Sequence, residues 1–104
     1  MHMKMFVISD NVDTQKGMRL AGIEGCVAHG HDEVSAALDR AIADSQIAVL
    51  LVTQKAAADA PEEISRIKLQ HSLPLIISIP DRHGMDKNQN AITDYIREAI
   101  GLKL

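Results

Sequence analysis

The sequence alternates between short apolar runs and segments with helical periodicity. Four runs have the length and composition of strands buried on both faces, at about residues 5–9, 25–29, 47–52 and 73–79. Helical segments follow these runs at about residues 13–21, from residue 30, at 55–60 and 61–69, and at 89–100. Strands alternating with helices through short connections predict a parallel sheet covered by helices on both faces.

The predicted fold class is α/β, with a four-stranded parallel sheet, alternating helices on both faces and a C-terminal helix. The topology is Rossmann-like or receiver-like. The 104 residues suffice for one domain, which we expect to have a core at about residues 4–88 and a C-terminal helix and tail at about 89–104. Apolar stripes support two of the helices, namely Val34, Leu38, Ala41 and Ile42, and then Ile92, Tyr95, Ile96, Ala99 and Ile100.

Composition argues against two classes of partner. Phe6 and Tyr95 are the only aromatic residues, and 11 basic residues are dispersed among 14 acidic ones to give a net charge of −3. We therefore expect no nucleic-acid binding, which needs a dense basic face or stacking rings. The longest apolar run, residues 47–52, is too short to insert into a membrane. With no signal-peptide pattern and a single cysteine, Cys26, the chain is expected to be cytoplasmic.

The carboxyl ends of the strands are the first place to look for chemistry, because ligands bind there in open parallel sheets. No G-x-G-x-x-G follows the first strand, and Gly17 and Gly22 have P-loop spacing without the required Lys and Ser/Thr. Asp10 and Asp13 could imitate the acidic pair of a receiver domain, but Thr53 stands where a receiver has its acceptor aspartate. We expect these aspartates to supply a helix cap and a favourable charge at a helix N-terminus.

The remaining candidates are histidines and the cysteine. His29 and His31 could share a metal ion with Asp32, but a solvated turn is the favoured interpretation because Gly30 separates them and no third ligand follows at a suitable spacing. Cys26 has no acid–base partner close in sequence and is interpreted as a small core thiol. We therefore predict no catalytic residue, no cofactor-binding residue and no metal ligand, and expect function to lie in a protein-binding surface.

Several segments in order resemble the F subunit of the V-type (A/V-type) ATPase or ATP synthase. They are FVISD (6–10) with GMRLAGI (17–23), VLLVTQK (49–55), LPLIISIP (73–80) and YIREAIGLKL (95–104). The resemblance extends over essentially the whole chain. Two residues depart from the family pattern, Ser9 in place of Gly and Met18 in place of Phe.

The resemblance implies a non-catalytic subunit of the rotating central stalk, peripheral to the membrane in the V1/A1 sector. It implies binding to the D subunit of the stalk beneath the hexamer of A and B subunits, and a part in coupling ATP hydrolysis or synthesis to proton or sodium transport. It implies no nucleotide bound to this chain. The ion and the direction of the reaction stay open.

Partner contacts are expected from two arginines, at the rim of an interface, and from the end of the chain. The candidates are Arg19, Arg66, Ile92, Ile96, Ile100, Leu102 and Leu104. Ile92 and Ile96 could instead cover the sheet, and the arginines could be solvated charges. Two other functions are left open: a receiver-like or small-ligand-binding signalling domain, based on topology and on Asp10 and Asp13, and a small enzyme that uses Cys26.

Overall fold

A computed structural model of the chain describes residues 3–80. The elements are β1 (Lys4–Ser9), α1 (Val12–Leu20), β2 (Glu24–Val27), α2 (Gly30–Ala43), β3 (Ile47–Thr53), α3 (Gln54–Asp59), α4 (Pro61–Gln70) and β4 (Leu75–Ile79). The predicted loop at 81–88 and the predicted C-terminal helix and tail lie outside the described residues. These include the candidates Ile92, Ile96, Ile100, Leu102 and Leu104.

The four strands form one parallel sheet in the order β2-β1-β3-β4. In register, Cys26 lies beside Ile8, Ile8 beside Val52, and Val52 beside Ser78. The predicted fold class is confirmed for the described residues. The strand order reverses between β1 and β3, which is the place where doubly wound sheets open a crevice for ligands.

The helices divide unequally between the two faces of the sheet. α1 covers β1 and β2 on one face, and α2, α3 and α4 pack on the other. The handedness of parallel crossovers explains this division, because a right-handed connection places its helix according to the direction in which the chain moves along the sheet. The chain moves one way from β1 to β2 and the opposite way in both later crossovers.

The core therefore has two apolar layers separated by the sheet. The layer under α2–α4 is the larger, and its fully buried side chains include Ile8, Val34, Leu38, Leu50 and Val52. The layer under α1 contains Val7, Met18, Leu51, Ile77 and Ile79. β1 and β3 contribute to both layers, and this double burial explains why their sequences are continuously apolar. Met18, which departs from the family pattern, is fully buried in the smaller layer.

Two element boundaries differ by two residues from the sequence-based expectation, while the others agree to within one residue. β2 ends at Val27, two residues before the expected His29, because Gly30 adopts a left-handed conformation (φ +82°) where α2 begins. β4 begins at Leu75 rather than at residue 73, since Pro74 has no N–H to donate to a neighbouring strand.

The end of α1 is formed by a backbone motif. The N–H of Gly22 donates to the carbonyl of Arg19, and that of Ile23 to the carbonyl of Met18, each at 2.9 Å. These are the two bonds of a Schellman motif, which requires a left-handed residue after the helix. Gly22 supplies that conformation with φ of +87°.

Candidate functional site

The crevice between the carboxyl ends of β1 and β3 is occupied by the protein's own hydrogen bonds. The fully buried Ser9 hydroxyl donates to the carbonyl of Asn11 at 2.7 Å and accepts from the N–H of Asn11 at 3.0 Å. The fully buried Thr53 side-chain oxygen accepts from the N–H of Asp10 at 3.1 Å and from that of Ala56 at 3.4 Å.

These bonds leave little at the crevice to recognise a ligand. Within residues 3–80, every buried side-chain nitrogen or oxygen has a hydrogen-bond partner. A preformed ligand site usually presents a few convergent polar groups with unused bonding capacity. At this edge the groups hold β1, α1 and α3 together instead.

The receiver-like interpretation can be tested at the same place. Asn11, rather than an aspartate, caps α1, because its Oδ1 accepts from the N–H of Thr14 at 2.7 Å. Asp13 is exposed in the first turn of α1, where a negative charge is favourable. Asp10 Oδ1 accepts from Asn11 Nδ2 at 3.3 Å. The expectation that an aspartate caps α1 is therefore wrong, because Asn11 is the cap, while Asp13 does carry the expected charge at the helix N-terminus.

The residue at the end of β3 differs from the phosphate-accepting residue of a receiver domain. A receiver needs a carboxylate there that is open to Mg²⁺ and to a phosphoryl donor. Thr53 is instead a fully buried N-cap of α3, with its side-chain oxygen already bonded to two backbone N–H groups. The geometry of this edge gives no support to phosphoryl transfer.

The two histidines of the expected turn are exposed at the start of α2. His29 is at the N-cap position, and His31 lies in the first turn with its ring between two carboxylates. Its Nδ1 is 3.1 Å from Asp32 Oδ1, and its Nε2 is 2.5 Å from Glu63 Oε2 on α4. Within residues 3–80, no three His, Cys, Asp or Glu side chains are grouped so as to hold a metal ion.

Cys26 is a half-buried free thiol on β2 that packs against the larger core layer. Burial raises the pKa of this thiol, and the nearby Arg40 opposes that effect. A raised pKa reduces the thiolate fraction at neutral pH, and the thiolate is the nucleophilic form. This environment favours the predicted packing role over a nucleophilic one.

The two arginine candidates lie on helices at opposite faces of the sheet. Arg19 is exposed in the last turn of α1, and Arg66 is exposed on α4. The fold does not bring them together, so they cannot belong to one compact contact patch. Each lies near an exposed leucine that was not among the sequence candidates, Leu20 at 75% exposure and Leu69 at 88%.

A shallow depression runs along the outer face of α4. It has a volume of about 470 Å³ and is lined by Pro61, Glu62, Ser65, Arg66, Leu69 and Gln70. Helical spacing could have identified Leu69, because it follows the inward-facing Ile67 by two residues and so points to the opposite side of the helix. The same spacing relates the exposed Leu20 to the buried Met18.

Comparison with known proteins identifies the family to which the chain belongs. The family model for the ATP synthase (F/14-kDa) subunit matches residues 5–96 of the chain. The chain belongs to this family. The resemblance seen in the ordered sequence segments is thereby confirmed, and the family is that of the F subunits of A/V-type ATP synthases.

Individual F subunits from other organisms are similar in sequence to this chain over nearly its full length. The chain is 32% identical to the A-type ATP synthase F subunit of Methanothermobacter thermautotrophicus, over 94% of this chain and 92% of that protein. It is 30% identical to the A-type ATP synthase F subunit of Thermococcus kodakarensis, over 98% of each chain.

A solved structure supports the same fold. The crystal structure of the V-type ATP synthase F subunit of Archaeoglobus fulgidus matches with a TM-score of 0.64 and 18% identity, covering 76% of this chain and 99% of that one. At this identity the match supports the fold alone. In the described part of the chain, no helix has the length and apolar character that crossing a membrane requires.

Proposed function

We propose that this member of the F-subunit family is a non-catalytic subunit of the rotating central stalk of an A/V-type ATP synthase. It binds the D subunit of the stalk beneath the A/B hexamer and helps to couple ATP hydrolysis or synthesis to ion transport. The observation that carries the non-catalytic role is the closed crevice, where Ser9 and Thr53 use their hydroxyls to join β1, α1 and α3.

The proposed location follows from the same assignment. As a stalk component the protein acts on the cytoplasmic side of the membrane, in the peripheral V1/A1 sector, and is held there through its partners. The net charge of −3 and the mixed-sign surface favour a protein partner over a nucleic acid.

Two kinds of contact are proposed for the D subunit. The apolar residues of the C-terminal segment, Ile92, Ile96, Ile100, Leu102 and Leu104, act as anchors in a helix-on-helix contact. One of the exposed arginines supplies a peripheral charged contact. Because Arg19 and Arg66 lie on opposite faces, a single rod-shaped partner is expected to depend on one of them much more than on the other.

Co-expression with the D subunit tests the binding proposal. We expect a one-to-one complex in size-exclusion chromatography and a higher ATPase rate when the complex is added to an A/B hexamer. Failure to form a complex at micromolar concentration would contradict the assignment.

Charge reversals identify the face that binds. R19E is compared with K16E on α1, and R66E with K68E on α4, so that each test variant has an exposed lysine control on its own helix. One arginine variant is expected to weaken the complex more than its lysine control. Equal effects of all four variants would mean that neither arginine makes a specific contact.

A further inference from the structure

His31 joins α2 to α4 through an exposed polar contact. Its Nε2 lies 2.5 Å from Glu63 Oε2, across 32 positions in sequence, and its Nδ1 lies 3.1 Å from Asp32 Oδ1. The Glu63 side chain is only 18% exposed, whereas that of His31 is 58% exposed. We refer to these contacts of His31 with Asp32 and Glu63 as the His31 link.

The protonation state of the ring determines whether both contacts form. A neutral imidazole has one N–H donor and one lone pair, while an imidazolium has two donors. Both ring nitrogens of His31 face carboxylate oxygens, which accept hydrogen bonds and donate none when ionised. Only the protonated ring satisfies both contacts, and deprotonation leaves one ring lone pair facing a carboxylate.

The surroundings of the ring are predominantly acidic. On α2, Glu33 is also near the helix start, where its Oε1 accepts from the N–H of His29 at 2.9 Å. On α3, Asp59 Oδ2 accepts from the N–H of Gly30 at 2.9 Å. On α4, Glu62 is exposed beside Glu63. Among the described residues, Arg66 is the only cation besides His31 whose charge lowers the pKa of Glu63.

We propose that the His31 link is a proton-dependent connection between α2 and α4, formed when the imidazole is protonated and weakened when it loses that proton. Release would leave α2 and the α3–α4 unit joined through the Gly30–Asp59 hydrogen bond and their shared apolar layer. The outer face of α4, which carries Arg66 and Leu69, would then be less firmly held.

The expected direction of pH dependence follows from linkage. Hydrogen bonds to Asp32 and then to Glu63 raise the pKa of His31. A raised histidine pKa stabilises the fold fully below the unfolded-state value of about 6.5, and this contribution is lost as pH rises through the folded-state value. The pKa of Glu63 is lowered, first by a backbone hydrogen bond and then by His31, so its contribution is lost only as pH falls through its own folded-state value.

The test is an NMR titration of the histidine ring protons in the full-length chain. We expect His31 to titrate at a higher pH in the folded protein than in the same chain unfolded in urea. In the variants E63Q and D32N, the titration of His31 is expected to move to lower pH. The amide signal of Glu63 is expected to follow the titration of His31 in the wild type and to lose that step in H31Q.

Unfolding in urea supplies a second readout. The midpoint for the wild type is expected to exceed that for H31Q near pH 6, and this difference is expected to disappear at a pH above the titration of His31. H71Q, which replaces an exposed histidine at the end of α4, controls for a histidine-to-glutamine change outside the His31 link. The proposal is overturned if His31 in the folded wild type titrates no higher than in the unfolded chain, a result that needs no variant to fold, or if E63Q leaves the titration of His31 unchanged.

Discussion

The side-chain oxygen of Thr53 accepts a hydrogen bond from the backbone N–H of Asp10, 3.1 Å away and 43 residues earlier in the chain. The same oxygen caps α3 through the N–H of Ala56. One buried hydroxyl therefore joins the carboxyl ends of the two central strands and also begins a helix. In nucleotide-binding sheets of this topology, the corresponding edge is available to a ligand.

Replacement of Thr53 by valine is expected to destabilise the protein by about 1–3 kcal/mol, because two backbone N–H groups lose their acceptor while the side-chain shape is nearly kept. Urea denaturation of the purified chain measures this change. T53S is the control because it keeps the hydroxyl, and its loss of stability should be clearly smaller than that of T53V. A valine variant that is as stable as the wild type would show that the two hydrogen bonds contribute little to stability.

Replacing Gly25 and Gly17 by alanine is expected to change the stability of the fold in opposite directions. A Cβ on Gly25 in β2 would lie 2.5 Å from the carbonyl oxygen of Val7 and closer still to Val7 Cγ1. G25A should therefore destabilise the fold by about 1–3 kcal/mol, as in an overpacked core.

Gly17 lies inside α1, where an added Cβ would meet no atom within 4 Å apart from its chain neighbours and the nearby backbone of its own helix. G17A should stabilise the fold by about 0.5–1 kcal/mol, because alanine loses less backbone entropy in a helix. Thermal unfolding of both variants provides the measurement. A stabilised G25A would show that β1 and β2 are further apart than in this structure.

Local sequence patterns were sufficient to predict most of the elements. β1 and β3 were recognisable because both of their faces are buried, which makes them continuously apolar, and α2 because Val34, Leu38 and Ala41 form one buried stripe. The ends of β2 and β4 were less predictable. Their limits depend on backbone conformation at Gly30 and on Pro74, which affect hydrogen bonding rather than hydrophobicity.

Contacts between distant positions could not be predicted in this way. The Thr53–Asp10 bond and the His31–Glu63 contact span 43 and 32 residues. Neither pair has a sequence pattern, because the contact depends on which strands become neighbours and on which face each helix packs. The family was nevertheless identifiable from sequence, since ordered segments preserve residue identities as well as hydrophobicity.

Cys26 is expected to react slowly with iodoacetamide at neutral pH in the folded protein. Burial raises the pKa of its thiol, so less thiolate is present than in the chain unfolded in urea, which serves as the reference. Arg40 opposes this shift, and R40Q should therefore move the pH–rate profile to higher pH. Faster alkylation of R40Q at every pH would mean that Arg40 mainly shields the thiol from the reagent.

Removal of residues 102–104 is expected to weaken partner binding while leaving the stability of the fold almost unchanged. The residues follow Gly101, which ends the predicted C-terminal helix, so Leu102 and Leu104 are expected to have little of the domain core within reach. The melting temperature should change by less than about 4 °C, as for a surface change of up to 0.5 kcal/mol. Affinity for the D subunit should fall by about tenfold or more if at least one leucine is buried in the complex.

The control for this truncation is K103Q, which changes the charge of the segment and keeps both leucines. Its affinity for the D subunit, measured by calorimetry beside that of the truncated chain, should stay close to the wild-type value. A large fall in the melting temperature of the truncated chain would instead assign the leucines to the domain core. The proposed binding role of the C-terminal residues would then have to rest on Ile92, Ile96 and Ile100 alone.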